Sequence, residues 1–292
     1  MKEIIKKLRQ YDIRIRKAIN SHMQGDFHSV FKGSGLEFDD VREYQYGDDV
    51  RSIDWNVSAK GHGTFIKTYK EEKEQTVFFL LDVSASQEIG TSGHQKIDVA
   101  KEICGVLSLS AVRESSQVGV LAYSDQKEIY IPPGKGMSHA YHIINRIFKN
   151  KAQSRETNIS GMLSFAMNMI KRRSVIILIS DFIDEDYEKN LRALAKLHDL
   201  VVIHLSDKRE SQIPNLGIVP LYDKESGKTL WVNSSSSGFG KNTANYFHEN
   251  KEKIMHLCRR YQANYLQLDT GQEYVGQLIK LFKVRNRMKK KA

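Results

Sequence analysis

The sequence predicts an α/β protein whose centre is a doubly wound, mostly parallel β-sheet. From residue 75 onward, short apolar runs alternate with segments of helical periodicity, the order of elements that produces such a sheet. The runs 76–83, 174–182 and 200–207 are almost continuously apolar. Strands of this composition are typical of sheets that helices cover on both faces. We therefore expect these three runs to be buried core strands.

The first 72 residues are predicted to form an N-terminal region that docks on the main domain. Residues 3–20 place apolar side chains at helical spacing, so we expect an amphipathic helix. Residues 24–63 are polar, rich in glycine and aromatic residues, and show little periodicity. We expect a long irregular segment there, of the kind that is usually functional or held by side-chain contacts. Residues 64–72 alternate like a strand.

The main domain is predicted to span residues 73–285, and a basic tail is predicted at 286–292. Its helices are expected at 95–112, 137–150, 158–172, 187–199, 239–262 and 273–285. Besides the three core strands, we expect a strand pair at 117–125 and 127–132, a hairpin around the KESG turn at 224–227, and a strand at 264–269.

The net charge of +10 is concentrated at the two ends of the chain. Residues 1–17 contribute +5 and residues 283–292 contribute +6, which leaves −1 for residues 18–282. We interpret the ends as solvated termini, and contact with an anionic membrane, a nucleic acid or an acidic partner stays open. Specific nucleic-acid binding usually needs a basic patch on a folded face, and the body of this chain is nearly neutral.

Several features are typical of a cytoplasmic protein. No apolar run approaches the roughly 20 residues that span a bilayer. The N-terminus has lysines but lacks the apolar region of a secretory signal. Cys104 and Cys258 have no metal-ligand spacing, so we expect both to be buried and reduced.

Oxygen-bearing side chains gather where the predicted core strands end. Asp82, Ser84 and Ser86 follow one apolar run, Asp181 ends another, and Thr157 lies just before a helix. Ligands of open α/β sheets bind outside the carboxyl ends of the strands, so these residues are expected at one edge. Two carboxylates and three hydroxyls are hard ligands that suit Mg²⁺ or Mn²⁺. The alternative interpretation is ordinary capping of strand ends by Asp and Ser.

The order D-x-S-x-S, then Thr, then Asp resembles the metal-ion-dependent adhesion site (MIDAS) of von Willebrand factor A domains. The resemblance implies that Ser84 and Ser86 bind the ion directly, whereas Asp82 and Asp181 act mainly through water or hydrogen bonds. It implies that Thr157 binds directly or through water. The sequence departs from this family after the motif, because glutamine follows where methionine is frequent; this glutamine is not expected to touch the metal.

Residues 33–60 carry a second signature. They read G-x-G-x-E-F-x-D-x-R-x-Y at 33–44 and G-D-D-x-R-x-I-D-W-x-x-S-A-K at 47–60. This pattern resembles a bacterial family of unknown function in which such a segment precedes a von Willebrand factor A-like domain. Members of that family are commonly encoded beside MoxR-type AAA+ ATPases, so the resemblance implies an ATPase of this type as a partner.

The same segment is rich in acids, which lie between 37 and 54 and alternate with Arg42, Arg51 and Lys60. Paired acids can perform general acid–base catalysis. Acids interleaved with arginines more often form ion-paired loops, so we favour a network that docks this segment on the sheet domain. The role of the segment beyond docking stays open.

These observations predict a non-enzymatic protein-binding adaptor. It would bind a protein ligand that supplies an acidic side chain to a Mg²⁺ (or Mn²⁺) site. With a MoxR-type ATPase, it would take part in the assembly, remodelling or metal loading of client proteins. The alternative is a metal-dependent hydrolase that uses the acids of 37–54. The client, the pathway and the oligomeric state cannot be derived from the sequence.

Overall fold

The structure is a computed structural model that describes residues 1–20, 32–60, 63–91, 93–212 and 214–291. Residues 24–31 and 61–62 of the predicted irregular segment lie outside the described residues. The strands are β1 Lys32–Glu43, β2 Phe65–Glu74, β3 Thr76–Asp82, β4 Gly90–Thr91, β5 His94–Gln95, β6 Gln117–Tyr123, β7 Lys127–Gly134, β8 Val175–Ser180, β9 Asp199–Ser206, β10 Ile218–Tyr222, β11 Thr229–Asn233 and β12 Asn264–Asp269.

The helices lie largely where helical periodicity predicts them. They are α1 Lys2–Asn20, α2 Trp55–Ser58, α3 Lys96–Arg113, α4 Gly136–Lys149, α5 Ile159–Met169, α6 Glu188–Leu197, α7 Lys208–Ser211, α8 Ser237–Arg260 and α9 Val275–Lys291. No helix in the described ranges is long and apolar enough to cross a membrane.

The main sheet has the strand order β12-β9-β8-β3-β6-β7. Its strands pair in parallel, except that β7 pairs antiparallel with β6 at one edge. The three apolar runs are adjacent as β9, β8 and β3, and their side chains are buried almost throughout. The predicted doubly wound, mostly parallel α/β sheet is therefore confirmed.

Helices cover both faces of this sheet. One face packs against α1, α3, α4 and α9, through fully buried residues such as Leu8, Ile103, Ile143 and Leu278. The other face packs against α5, α6 and α8. The two apolar layers explain why the core strands show no alternation of polar and apolar residues.

The N-terminal helix α1 is part of the main core. Its residues Leu8 and Ile15 are completely buried. Between them lies Asp12, which is also completely buried. Its carboxylate accepts a hydrogen bond from Ser110 Oγ at 2.7 Å and forms an ion pair with Arg113 at 3.2 Å. Both partners belong to α3, so an apolar contact and a buried charge fix α1 against that helix.

The prediction of an irregular segment over 24–63 is wrong for residues 32–43. These residues form β1, which pairs antiparallel with β2 and carries two register shifts. The strand is hidden in the sequence because its partner, β2, begins more than 20 residues after β1 ends, and because most residues of β1 are polar or glycine. Pairing with a distant strand therefore overrides weak local preference here.

The chain end also differs from the prediction. Helix α9 continues to Lys291, so residues 286–291, which we predicted as a basic tail, belong to the last helix. The predicted hairpin around KESG is present as β10 and β11. Its strands pair with each other and not with the main sheet.

Candidate functional site

The carboxyl ends of β3 and β8 carry the two predicted aspartates. β3 ends at Asp82, and the neighbouring parallel strand β8 ends one residue before Asp181. Each aspartate is only 2% exposed. The residue after Asp181, Phe182, has a φ of 56°, a left-handed conformation that is uncommon for a bulky residue. The chain therefore turns sharply at this edge.

Asp82 is the centre of a buried hydrogen-bond cluster. Its Oδ1 accepts from the backbone N of Ser84 at 3.0 Å and from Ser84 Oγ at 2.6 Å. Its Oδ2 accepts from Ser180 Oγ at 2.7 Å and from Gln87 Nε2 at 3.1 Å. The hydroxyls of Ser84 and Ser86 are 3.0 Å apart. The structure thus brings Asp82, Ser84 and Ser86 together in one chain of contacts.

The electrostatics of this cluster favour a cation. Burial raises the pKa of Asp82 to about 6, and the negative charge of Asp181 acts in the same direction. Hydrogen bonds from Ser180 and Ser84 oppose the shift. A carboxylate held at such a pKa by burial and a like charge is stabilised in its ionised form when a positive charge approaches.

Thr157 reaches the same edge from a different loop. It directly precedes Asn158, which caps α5 by accepting from the backbone N of Gly161. The loop before it is tied to the Asp82 cluster, because the backbone O of Arg155 accepts from the backbone N of Ala85 at 3.0 Å. The hydroxyl of Thr157 donates to Glu225 Oε1 at 2.6 Å.

Glu225, the hydrogen-bond acceptor of Thr157, lies in the turn of the β10–β11 hairpin. Burial raises the pKa of the Glu225 carboxyl, and the hydrogen bond from Thr157 acts against this shift. A hydrogen bond with the Ser86 side chain also acts to lower this pKa. Glu225 therefore contacts Thr157 and lies near Ser86, the other part of the predicted site.

Asp181 has a buried lysine as its partner. Its Oδ2 accepts from Lys96 Nζ at 2.6 Å, and its Oδ1 accepts from the backbone N of Ile183 at 3.2 Å. Lys96 is completely buried and also contacts the carboxylate of Glu210. Burial acts to lower the pKa of Lys96, but the charges of Asp181 and Glu210 outweigh it, and the pKa is raised. Lys96 is thus a permanent internal cation beside the cluster.

Sequence reasoning did not single out Lys96, Glu210 or Glu225, and it gave Gln87 no role. One signal was available for Lys96. This lysine is the first residue of α3, where the helix dipole disfavours a positive charge. A buried lysine in that position therefore indicates that carboxylates lie nearby and compensate its charge. Glu225 carried no comparable signal, because a glutamate in a hairpin turn is usually solvated.

The donor set fits a hard divalent cation. Within the described ranges, no three or more His, Cys, Asp or Glu residues are grouped to hold a metal ion. An ion at this edge would therefore depend on the hydroxyls of Ser84, Ser86 and Thr157 and on water, together with the nearby carboxylates. Mg²⁺ accepts such ligands, since it commonly retains several waters and binds few carboxylates.

The acids of the segment before the sheet have structural partners. Asp48 forms a two-bond ion pair with Arg42, both contacts at 2.8 Å. Asp49 caps a 3₁₀ turn at Val50–Ser52, and Asp54 caps α2. The side chains of residues 32–40, including Glu37 and Asp40, lie outside the described part of the chain. The described contacts are internal to the segment, and its docking on the sheet domain stays a prediction.

The fold and this edge define an α/β protein with a buried cluster of carboxylates and hydroxyls at the carboxyl ends of its central strands. The family described as "Protein of unknown function DUF58" matches residues 40–253. The chain belongs to this family.

Individual proteins show more distant similarity. Uncharacterized protein Rv1480 of Mycobacterium tuberculosis is 28% identical over 225 residues, which are 75% of this chain and 70% of that protein. The conserved hypothetical protein BatB from Bacteroides thetaiotaomicron has a TM-score of 0.49 at 14% identity, covering 74% of this chain and 99% of that chain. The SpRpn10 VWA domain has a TM-score of 0.39 at 11% identity, covering 70% and 94% of the two chains.

Proposed function

We propose that this protein is a non-enzymatic adaptor that binds an acidic side chain of a protein ligand through a Mg²⁺- or Mn²⁺-dependent site. The observation that carries the proposal is the buried contact chain from Asp82 through Ser84 to Ser86 at the carboxyl edge of the sheet. Simple strand capping accounts for the bond from the Ser84 backbone. It does not account for two serine hydroxyls turned toward each other beside a buried carboxylate.

Each residue has a role in this proposal. Ser84, Ser86 and Thr157 would offer hydroxyl oxygens to the ion, while Asp82 and Asp181 would hold bound water or orient the hydroxyls. When bound, the ion supplies an open coordination position for a carboxylate of the ligand. Lys96 neutralises part of the charge of Asp181, so that the site stays folded without the ion.

The surface beside the site suits protein binding. The hairpin that carries Glu225 exposes large apolar side chains, with Ile218 70%, Leu230 61% and Trp231 71% exposed. Exposed apolar groups near a polar centre are typical of interaction surfaces, and tryptophan is frequent among residues that dominate binding energy. A ligand would therefore use both a carboxylate and an apolar contact.

A MoxR-type AAA+ ATPase is the partner we propose, in the assembly, remodelling or metal loading of a client protein. The chain itself lacks the G-x-x-x-x-G-K-[ST] motif that binds nucleotide phosphates. Energy for such work would come from the partner. Asp48, Asp49 and Asp54 of the segment from Arg42 to Lys67 cap turns or pair with basic residues, which favours binding over hydrolysis as the activity of this protein.

Affinity capture with four conditions tests this function. The wild-type chain and Asp82→Ala would each be used as bait, in Mg²⁺ and in EDTA. We expect a MoxR-type ATPase or its client to be retained only by the wild type in Mg²⁺. Glu156→Ala is the control, because Glu156 is an exposed acid beside Thr157. Equal capture by both baits with and without Mg²⁺ would contradict the proposal, and turnover of phosphoesters or peptides in Mg²⁺ would favour the hydrolase.

A further inference from the structure

The turn of the β10–β11 hairpin presents Glu225 in a fixed conformation. The carboxylate of Asp223 accepts from the backbone N of Glu225 at 3.0 Å and from the hydroxyl of Ser226. The backbone O of Asp223 accepts from Gly227 at 2.9 Å, and Gly227 has a φ of +69° that glycine adopts without strain. The turn is therefore ordered by its own hydrogen bonds, and Glu225 is its projecting side chain.

Glu225 is partly buried and contacts the site. Its carboxylate accepts a hydrogen bond from the hydroxyl of Thr157 at 2.6 Å, and the Ser86 side chain is close enough to act on its pKa. These are two of the residues that the proposed metal site requires. A glutamate in a hairpin turn would ordinarily be hydrated, so its hydrogen bond with the hydroxyl of Thr157 needs an explanation from the site.

We infer that Glu225 is the acidic ligand of this site, supplied by the chain itself. In the closed form its carboxylate occupies the position that the acidic side chain of a protein ligand takes, and the hairpin must withdraw before that ligand binds. The inference rests on the proposed function, because it assigns the occupant of the same cation site. It adds to that function a ligand from the chain itself, which we call the self-ligand. It also adds the requirement that the hairpin withdraw before an external carboxylate binds.

The charge balance supports a third carboxylate. Asp181 already shares its charge with Lys96, and Asp82 is engaged by four donor groups. Hydroxyls carry no formal charge, so a divalent ion among them would remain under-neutralised. Glu225 is the charged side chain that contacts the hydroxyl of Thr157, and it can supply the missing negative charge.

The contacts that hold the hairpin at the site are of the kind that exchange readily. Lys224 Nζ lies 3.3 Å from the carboxylate of Glu88 and donates to its backbone O at 2.9 Å, and both side chains are more than a third exposed. Arg155 donates to the hydroxyl of Tyr222 at 3.3 Å. Exposed ion pairs and hydrogen bonds of this type stabilise a contact only weakly. An external carboxylate can therefore compete with Glu225 without disrupting the core.

Calorimetric titration of the full chain with Mg²⁺ alone tests the assignment. Glu225→Ala should bind Mg²⁺ at least about tenfold more weakly than the wild type, because one charged ligand is lost. Acetate at saturating concentration should restore the affinity of this variant and leave the wild type unchanged. Glu156→Ala removes the same charge from the residue next to Thr157 and should behave as the wild type.

The outcomes separate this inference from the proposed function. If Glu225→Ala binds Mg²⁺ as the wild type does while Asp82→Ala does not, the site stands and the self-ligand is rejected. A loss of affinity that acetate does not restore also rejects it, since the effect then comes from a displaced hairpin. If the wild type and every variant fail to bind Mg²⁺ or Mn²⁺, both the self-ligand and the metal-dependent function are rejected.

Discussion

The carboxyl edge of the sheet and the segment from Arg42 to Lys67 are both rich in acids, but these acids have different partners and different exposure. At the edge, Asp82 and Asp181 are each 2% exposed, and a buried lysine pairs with one of them. In the segment, the Arg42–Asp48 ion pair has side chains that are 45% and 20% exposed. Asp54 of the segment is also only 9% exposed, but it caps α2, so it is the adjacent pair of buried aspartates, rather than the number of acids, that separates the candidate site from the structural network.

The largest effect is expected from Lys96→Met. This substitution leaves the carboxylates of Asp181 and Glu210 buried without their cation, and removing one partner of a buried pair typically costs about 3–5 kcal/mol in the free energy of unfolding. Urea denaturation at pH 7.5 measures it. Lys101→Met is the matched control, because Lys101 lies on the same helix and its described hydrogen bond, to the backbone oxygen of Asn150, is long at 3.4 Å.

A loss of similar size in both variants would show that the Lys96 cluster is not special, and the contrast between the two acidic regions would weaken. A folded but destabilised Lys96→Met chain would also allow Mg²⁺ titration. We expect tighter Mg²⁺ binding in that variant, because Asp181 loses its internal cation.

The next effect is a pH dependence of Mg²⁺ binding. The pKa of Asp82 in the folded chain is about 6, against a reference of 3.8, so this carboxyl takes up a proton as the pH falls through 6. The proton competes with the ion, and affinity should fall by about tenfold per pH unit below 6. Calorimetry at pH 7.5, 6.0 and 5.0 measures it, and affinity that is unchanged from pH 6.0 to 5.0 would contradict the assignment of Asp82.

The raised pKa of Asp82 also determines the direction in which the free energy of unfolding changes with pH. Because the folded metal-free chain binds this proton more tightly than the unfolded chain, its free energy of unfolding should decrease as the pH rises from about 4 to about 6. Bound Mg²⁺ should remove this decrease. Asp82→Ala should lack both the decrease and the effect of Mg²⁺.

The smallest effect is expected from Arg42→Ala. The hydrogen bond with Asp48 raises the pKa of Arg42 and lowers that of Asp48, but both groups are solvated. Exposed ion pairs contribute little to stability. The urea midpoint should not change measurably, and Mg²⁺ affinity should equal that of the wild type. A marked loss of either would mean that this segment takes part in the site.

Much of the fold could be predicted because its signals are local. The buried strands β3, β8 and β9 show continuous apolar runs, and the helices between them show their own periodicity. β1 was missed, since its polar sequence becomes a strand only through pairing with β2. Likewise, the end of α9 was placed too early because a run of basic residues resembles a solvated tail as closely as it resembles a helix end.

The sequence alone determined the central sheet and the cluster of Asp82, Ser84 and Ser86. These three residues lie within five positions, and a parallel strand necessarily delivers its carboxyl end to the ligand-binding edge. Only the tertiary structure decided that Asp181 pairs with Lys96, 85 residues away, and that Glu225 meets Thr157 across 68 residues. Contacts between such distant positions depend on how helices and hairpins pack around the sheet, and local periodicity carries no information about that packing.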